Sequence, residues 1–294
     1  MLTNAIKEVE KFTRPIHTIS KNFAGNVNPV TSTLFFVNED AVAITCKHVF
    51  DLIVQADPIN LHYRNFLAEK KALPKNGRYK SLLAALVKKY NYKNDITEQL
   101  KNQFVNCVDT ISNINCHTHP TLDLAIIEFQ GFTKTLYTSY ATFVKDPTKI
   151  QPGKYVCKLG FPFPEFNNFQ ENPTTEEIEF TNAGNMTSPQ FPLDGIITRF
   201  IGSAGNITAI ETSTPGLKGQ SGGPLFDSDG LIYGMQYATN HLHLGFDIKN
   251  FDIVNNGKKE KISNHPFLNV GHCIHVDQIK DFLKLHKIKF YEEV

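Results

Sequence analysis

Gly219-Gln220-Ser221-Gly222-Gly223-Pro224 sets a serine inside a run of glycines. A serine hydroxyl is a weak nucleophile until a base takes its proton. Acyl transfer also needs N–H donors aimed at the oxygen on which negative charge develops. Glycines beside the serine let the backbone turn two donors toward one point. Here those donors would be the N–H groups of Gly219 and Ser221, an expected oxyanion hole. Taken alone, the six residues read equally well as an ordinary β-turn.

The base must come from elsewhere. Among 11 histidines, His48 directly follows the β-rich run Ala41–Thr45 and opens a short helical turn. That is a rigid edge from which a side chain can face a cleft. The imidazole in turn needs a carboxylate to orient it and to stabilise its cation. Asp123 stands at the mouth of Leu122-Asp123-Leu124-Ala125-Ile126-Ile127, and a charge flanked by that much hydrocarbon calls for a partner. Each has a plainer alternative: His48 as a structural histidine, Asp123 as a cap at the start of a strand.

The elements that must position these residues are mostly short strands. Residues 4–12 read as an amphipathic helix with Ala5, Ile6, Val9 and Phe12 on one side. Thr31–Val37 and Ala41–Thr45 read as a hairpin, and Lys47–Val54 as a helical turn. Residues 55–118 break the β rhythm: Ser81–Tyr90 and Ile96–Val105 both look helical, so this stretch is expected to be a helical insertion. It is either packing decoration or a surface that gates substrate or meets a partner. Strands resume at Leu122–Phe129, Lys154–Leu159, Ile178–Thr181, Gly195–Ile201, Ile207–Thr212, Pro224–Phe226 and Leu231–Gln236. Residues 241–269, rich in Lys and Asn, are expected to form a long loop. Val270–Val276 is the last strand, and Asp277 is positioned to N-cap a closing helix. Short strands with Gly, Pro, Asn and Asp turns indicate antiparallel structure, and no βαβ alternation suggests a parallel sheet.

Composition narrows the function classes. The chain has 294 residues and a formal net charge of +1, so no global field favours nucleic acid or an anionic membrane. The N-terminal residues carry charges where a signal peptide needs an apolar core, and no run approaches a membrane span. The five cysteines form an odd, unpatterned set, as in a reducing compartment. A cytoplasmic location is therefore expected, with signal-less export as the alternative. The pairs His117/His119 and His241/His243 each lack further ligands at metal-site spacing, and no metal is expected. His272, Cys273 and His275 lie on the last strand, as core packing or as substrate contacts.

Together, Thr45-Cys46-Lys47-His48-Val49, Asp123-Leu124-Ala125 and Gly219-Gln220-Ser221-Gly222-Gly223-Pro224-Leu225 resemble the trypsin-like, chymotrypsin-fold serine peptidases. The order His, Asp, Ser matches that family. Ile150-Gln151-Pro152-Gly153-Lys154-Tyr155 with Gly160-Phe161-Pro162, and Val270–Phe282, are similar to the protease part of bacterial HtrA-type proteases; no PDZ domain is expected. The resemblance covers about residues 28–50 and 119–288.

It implies an all-β fold with helical insertions: two antiparallel six-stranded β-barrels of the chymotrypsin type and a C-terminal helix. One peptidase domain would span 1–294. The first barrel would run over about 14–145 with the helical insertion 55–118, the second over about 150–277, and the closing helix over about 278–287. The implied function is a serine endopeptidase without a cofactor, acting on protein or peptide. His48 would be general base and acid, Asp123 its orienter, and Ser221 the nucleophile. Counting along the family pattern places the substrate pocket at Pro215, Tyr237, Ala238, Thr239 and Cys273, with no anionic residue to attract Arg or Lys. A hydroxyl backing Asp123 is expected near Tyr237. Digestive relatives carry Asp before the nucleophile to pair with a freed amino terminus; Gln220 stands there instead. A catalytically silent or partner-gated binding module, and an esterase using the same three residues, are the alternatives.

Overall fold

In the computed structural model, which describes residues 2–203 and 205–294, α1 (Leu2–Val9) leads into a sheet built from β1 (Thr13–Asn22), β2 (Val27–Phe36) and β3 (Val42–Thr45). Two helices follow, α2 (Lys47–Ala72) and α3 (Tyr79–Lys89). The sheet is then completed by β4 (Thr97–Phe104), β5 (Asn113–Thr118) and β6 (Ala125–Gln130). Its order is β4-β1-β2-β3-β6-β5, and every pair is antiparallel. Leu34, Phe35, Phe36, Ile126 and Ile127 are fully buried, so β2 and β6 bury both faces.

The second half contains β7 (Thr142–Phe143), β8 (Tyr155–Gly160), β9 (Phe169–Glu171), β10 (Ile178–Phe180), β11 (Phe191–Ser203), β12 (Asn206–Thr212), β13 (Pro224–Phe226), β14 (Ile232–His243), β15 (Ile248–Asn255), β16 (Lys258–Asn264), β17 (Phe267–His275), α4 (Val276–Leu285) and β18 (Tyr291–Glu292). Six of these strands close a ring, β8-β11-β12-β17-β14-β13 and back to β8. Closure removes the free edges of an open sheet. One hydrophobic core joins both halves; it includes Ile44 and Leu124 from the first, and Leu159 and Phe226 from the second.

The fold class is as expected, but several elements differ. The insertion is not wholly helical: Ile96–Val105 largely forms β4, and β5 also falls inside 55–118. The strand is decided by its pairing with β1 and by α2. Asn60 donates from Nδ2 to the Leu100 carbonyl (2.7 Å) and accepts the Leu100 N–H (3.0 Å), so one side chain pairs both backbone groups of Leu100. The helix at His48 does not stop at Val54. It continues through Pro58 to Ala72; the proline removes the bond to the Val54 carbonyl, and Val54 is solvent-exposed, where water can replace it.

Residues 241–269 are not a loop but a projecting ribbon, in which β14 and β17 pair out to His243 and Phe267 and the β15–β16 hairpin forms the tip. The closing helix is α4, Val276–Leu285, and its N-cap is His275, whose ring accepts the Asp277 N–H; Asp277 lies inside the first turn. β7, within the span expected for the first barrel, pairs with β14 of the second.

Candidate active site

Three segments from distant parts of the chain meet at one cleft. His48 is the second residue of α2, and its Nδ1 lies 2.6 Å from Asp123 Oδ2. The backbone N–H of His48 donates to Asp123 Oδ1 at 2.9 Å. The N-cap residue of α2, Cys46, makes no side-chain cap bond. Asp123 therefore caps the helix from outside, taking one of the donors that a helix start leaves unpaired. Burial alone would raise the Asp123 pKa. The bonds from the His48 ring and from the His48 and Lys47 backbone outweigh it, and the net shift is downward.

The turn that delivers Asp123 is shaped by His119, whose Nδ1 accepts the N–H groups of Leu122 (2.9 Å) and Thr121 (3.2 Å). His117, its expected partner in a pair, points instead to Glu128 at 2.7 Å. His119 as a turn former carried no sequence signal beyond the histidine itself.

The turn that carries Ser221 is held by close backbone approaches that only glycine permits. Gly222 has φ +88°, and a Cβ there would meet the Thr33 carbonyl at 2.0 Å. Gly219 has φ +97°, and its Cβ would meet the Phe161 carbonyl at 2.6 Å. Thr33 braces the turn from β2. Its N–H donates to the Ser221 carbonyl (3.0 Å), and its Oγ1 donates to the Gly219 carbonyl (2.8 Å). Thr45 Oγ1 in turn holds the Thr33 carbonyl at 2.7 Å. Gln220 is fully buried; it accepts the Leu217 N–H (2.9 Å) and donates to the Phe191 carbonyl (3.0 Å).

The N–H groups of Gln220, Gly222 and Gly223 are all taken within the turn and its neighbours. Those of Gly219 and Ser221 have no acceptor among the described residues. His48, Gly219 and Ser221 line one cavity of about 330 Å³.

The expected pocket residues gather elsewhere. None of Pro215, Tyr237, Ala238, Thr239 and Cys273 lines that cavity. Thr239 Oγ1 bonds both the N–H (2.9 Å) and the carbonyl (2.6 Å) of Gly216. The Gln236 amide fills the space between: its Nε2 donates to the Ala238 carbonyl at 2.6 Å, and its Oε1 takes the Cys273 thiol at 3.4 Å. Sequence reasoning missed Gln236, which reads as one more strand residue. Beneath it, Lys158 donates to the Thr214 (2.7 Å) and Pro215 (3.0 Å) carbonyls. Tyr237 makes no hydrogen bond to Asp123 among the described residues, so the helix start takes the place expected for a backing hydroxyl.

Two clusters bring together donor atoms of metal-ligating type. In the first, Cys46 joins His48 and Asp123, but its thiol is buried, pushed well up by that burial, and donates to the Gln236 carbonyl. In the second, Asp247 Oδ1 meets His243 Nε2 (2.7 Å) and His265 Nδ1 (2.8 Å). The Gly245 N–H donates to His243 Nδ1 at 3.1 Å.

The model of the trypsin-like peptidase domain family matches residues 32–235. No curated protein matches the chain. Among solved structures, an HtrA-type protease, AlgW, solved with a tripeptide, is similar at 11% identity and a TM-score of 0.47; the match covers 97% of this chain and 62% of that one.

Proposed function

This chain belongs to the trypsin-like peptidase domain family, and we propose that it is a serine endopeptidase working through an acyl-enzyme on Ser221. The observation that carries the reading is the convergence of His48, Gly219 and Ser221 on one cavity, with Asp123 on the far nitrogen of His48. Because Nδ1 is engaged by Asp123, Nε2 is the nitrogen left to serve as base.

Ser221 Oγ attacks the scissile carbonyl as His48 Nε2 takes its proton. The negative charge moves to the carbonyl oxygen, where the unpaired N–H groups of Gly219 and Ser221 receive it. Collapse breaks the C–N bond, and His48 returns the proton to the leaving amine. Water then repeats the sequence against the Ser221 ester. Asp123 stabilises the imidazolium without itself taking the proton. None of these steps draws on a cofactor.

The test is labelling by a fluorophosphonate, with the modified residue mapped by mass, beside a panel of peptides and esters. Labelling at Ser221 with peptide cleavage is expected, and Ser221→Ala should lose roughly 10⁴–10⁶ in kcat. An unlabelled protein would be a silent binding module. Ester hydrolysis without peptide cleavage would make it an esterase.

A further inference from the structure

We propose that the cavity walled by α2 is a subsite for the leaving half of the substrate, and that it takes a large apolar side chain on the residue following the scissile bond. The inference rests on the serine peptidase reading and names a part of its substrate.

The position of the cavity supports the side of the bond. His48 and Ser221 line it together with the apolar Val30, Leu52, Ile59 and Leu100. The segment expected to hold the residue before the bond, around Pro215 and Thr239, contributes nothing to it. The proton for the leaving amine comes from His48, so the amine and its chain depart along the wall that carries His48. That wall is α2. His48, Leu52 and Ile59 are separated by four and seven residues, which places them on one helix face. The helix that presents the base therefore presents the apolar lining too.

The chemistry of the lining supports the class of side chain. Leu52 is 38% exposed and lines, with Val30, Ile59 and Leu100, the same cavity as Ser221, the apolar lining that side-chain pockets use. No carboxylate lines the cavity, so a basic side chain would be desolvated without a partner. Its volume of about 330 Å³ is at the small end of ligand sites, roughly 300–1,000 Å³, which suits a side chain better than a larger ligand. The wall is preformed, because Asn60 ties α2 to both backbone groups of Leu100.

The experiment uses acyl transfer. A small activated ester, carrying nothing beyond the scissile bond, forms the acyl-enzyme. Amides of Leu, Phe, Gly and Lys are then offered as acceptors in competition with water. The amine nitrogen attacks the acyl carbon, its proton passes through His48 to Ser221 Oγ, and an amide leaves. The transfer-to-hydrolysis ratio for Leu or Phe amide should exceed that for Gly amide by about 10- to 100-fold, with Lys amide no better than Gly. In Leu52→Ser/Ile59→Ser the ratios should converge, read per titrated active site so that misfolded protein does not contribute. A flat response in a wild-type enzyme that gives a normal ester burst would overturn the subsite alone. Preference retained in the double variant would overturn its assignment to α2. Absence of any burst would overturn the acyl-enzyme reading, and the subsite with it.

Discussion

Asp123 holds His48 twice, accepting its ring Nδ1 at 2.6 Å and its backbone N–H at 2.9 Å. One carboxylate thus orients the imidazole and anchors the helix from which the imidazole projects. The two roles separate by substitution. Asp123→Asn keeps an acceptor for the helix but loses the charge, and should lower kcat by about 10⁴ with little change in urea midpoint. Asp123→Ala should also lose the cap, costing about 0.5–2 kcal/mol of stability. Equal midpoints for the two variants would show that the capping bond contributes nothing.

The same pair makes a prediction in pH. The folded Asp123 pKa lies below its ordinary value, so the stability it contributes is complete above the unfolded pKa, about 3.9. It is lost as pH falls through the folded value. The melting-temperature gap between wild type and Asp123→Ala should therefore be constant from pH 7 to about 5 and shrink below about 4. A gap that widens in acid contradicts the direction of the shift.

Gln220 holds the turn that carries Ser221 through two neutral hydrogen bonds, and an ammonium inserted beside it would find no charge to pair with. The protein should therefore titrate as fully active at its intact mass. Gln220→Leu, which strands the Leu217 N–H and the Phe191 carbonyl, should cost about 1–3 kcal/mol. Activity that appears only after cleavage to a new amino terminus near residues 14–30 would show that a freed terminus is required.

Lys158 is 1% exposed, and its Nζ donates to the Thr214 and Pro215 carbonyls and to Thr212 Oγ1, with no carboxylate among its partners in the described residues. The expected floor of the substrate pocket thus borders a buried amine whose pKa burial lowers. A cation from Arg or Lys before the scissile bond would find no carboxylate among those residues and would be desolvated without a partner. A cleavage profile over a peptide library should be poor in basic residues at that position. A profile dominated by Arg or Lys would mean that the pocket is elsewhere.

The sequence by itself determined the local chemistry and the family. The glycines around Ser221 were legible because their need is local: at φ +88° and +97° a side chain is strained whatever surrounds it. Strands with buried alternating or continuous apolar runs, such as Pro224–Phe226, were legible for the same reason. Tertiary structure decided what local preference leaves nearly level. Thr97–Phe104, TEQLKNQF, is made mostly of residues that favour helix, yet per-residue propensities differ by less than about 1 kcal/mol. Pairing with β1 and the bonds from Asn60 outweigh them. The ribbon over 241–269 exists for a similar reason, through cross-strand pairing that a polar sequence does not announce. Contacts across long separations settled the rest of the site. They placed Asp123 on the start of α2 and the Gln236 amide against Gly216, and set Leu52 and Ile59 in one cavity with Ser221.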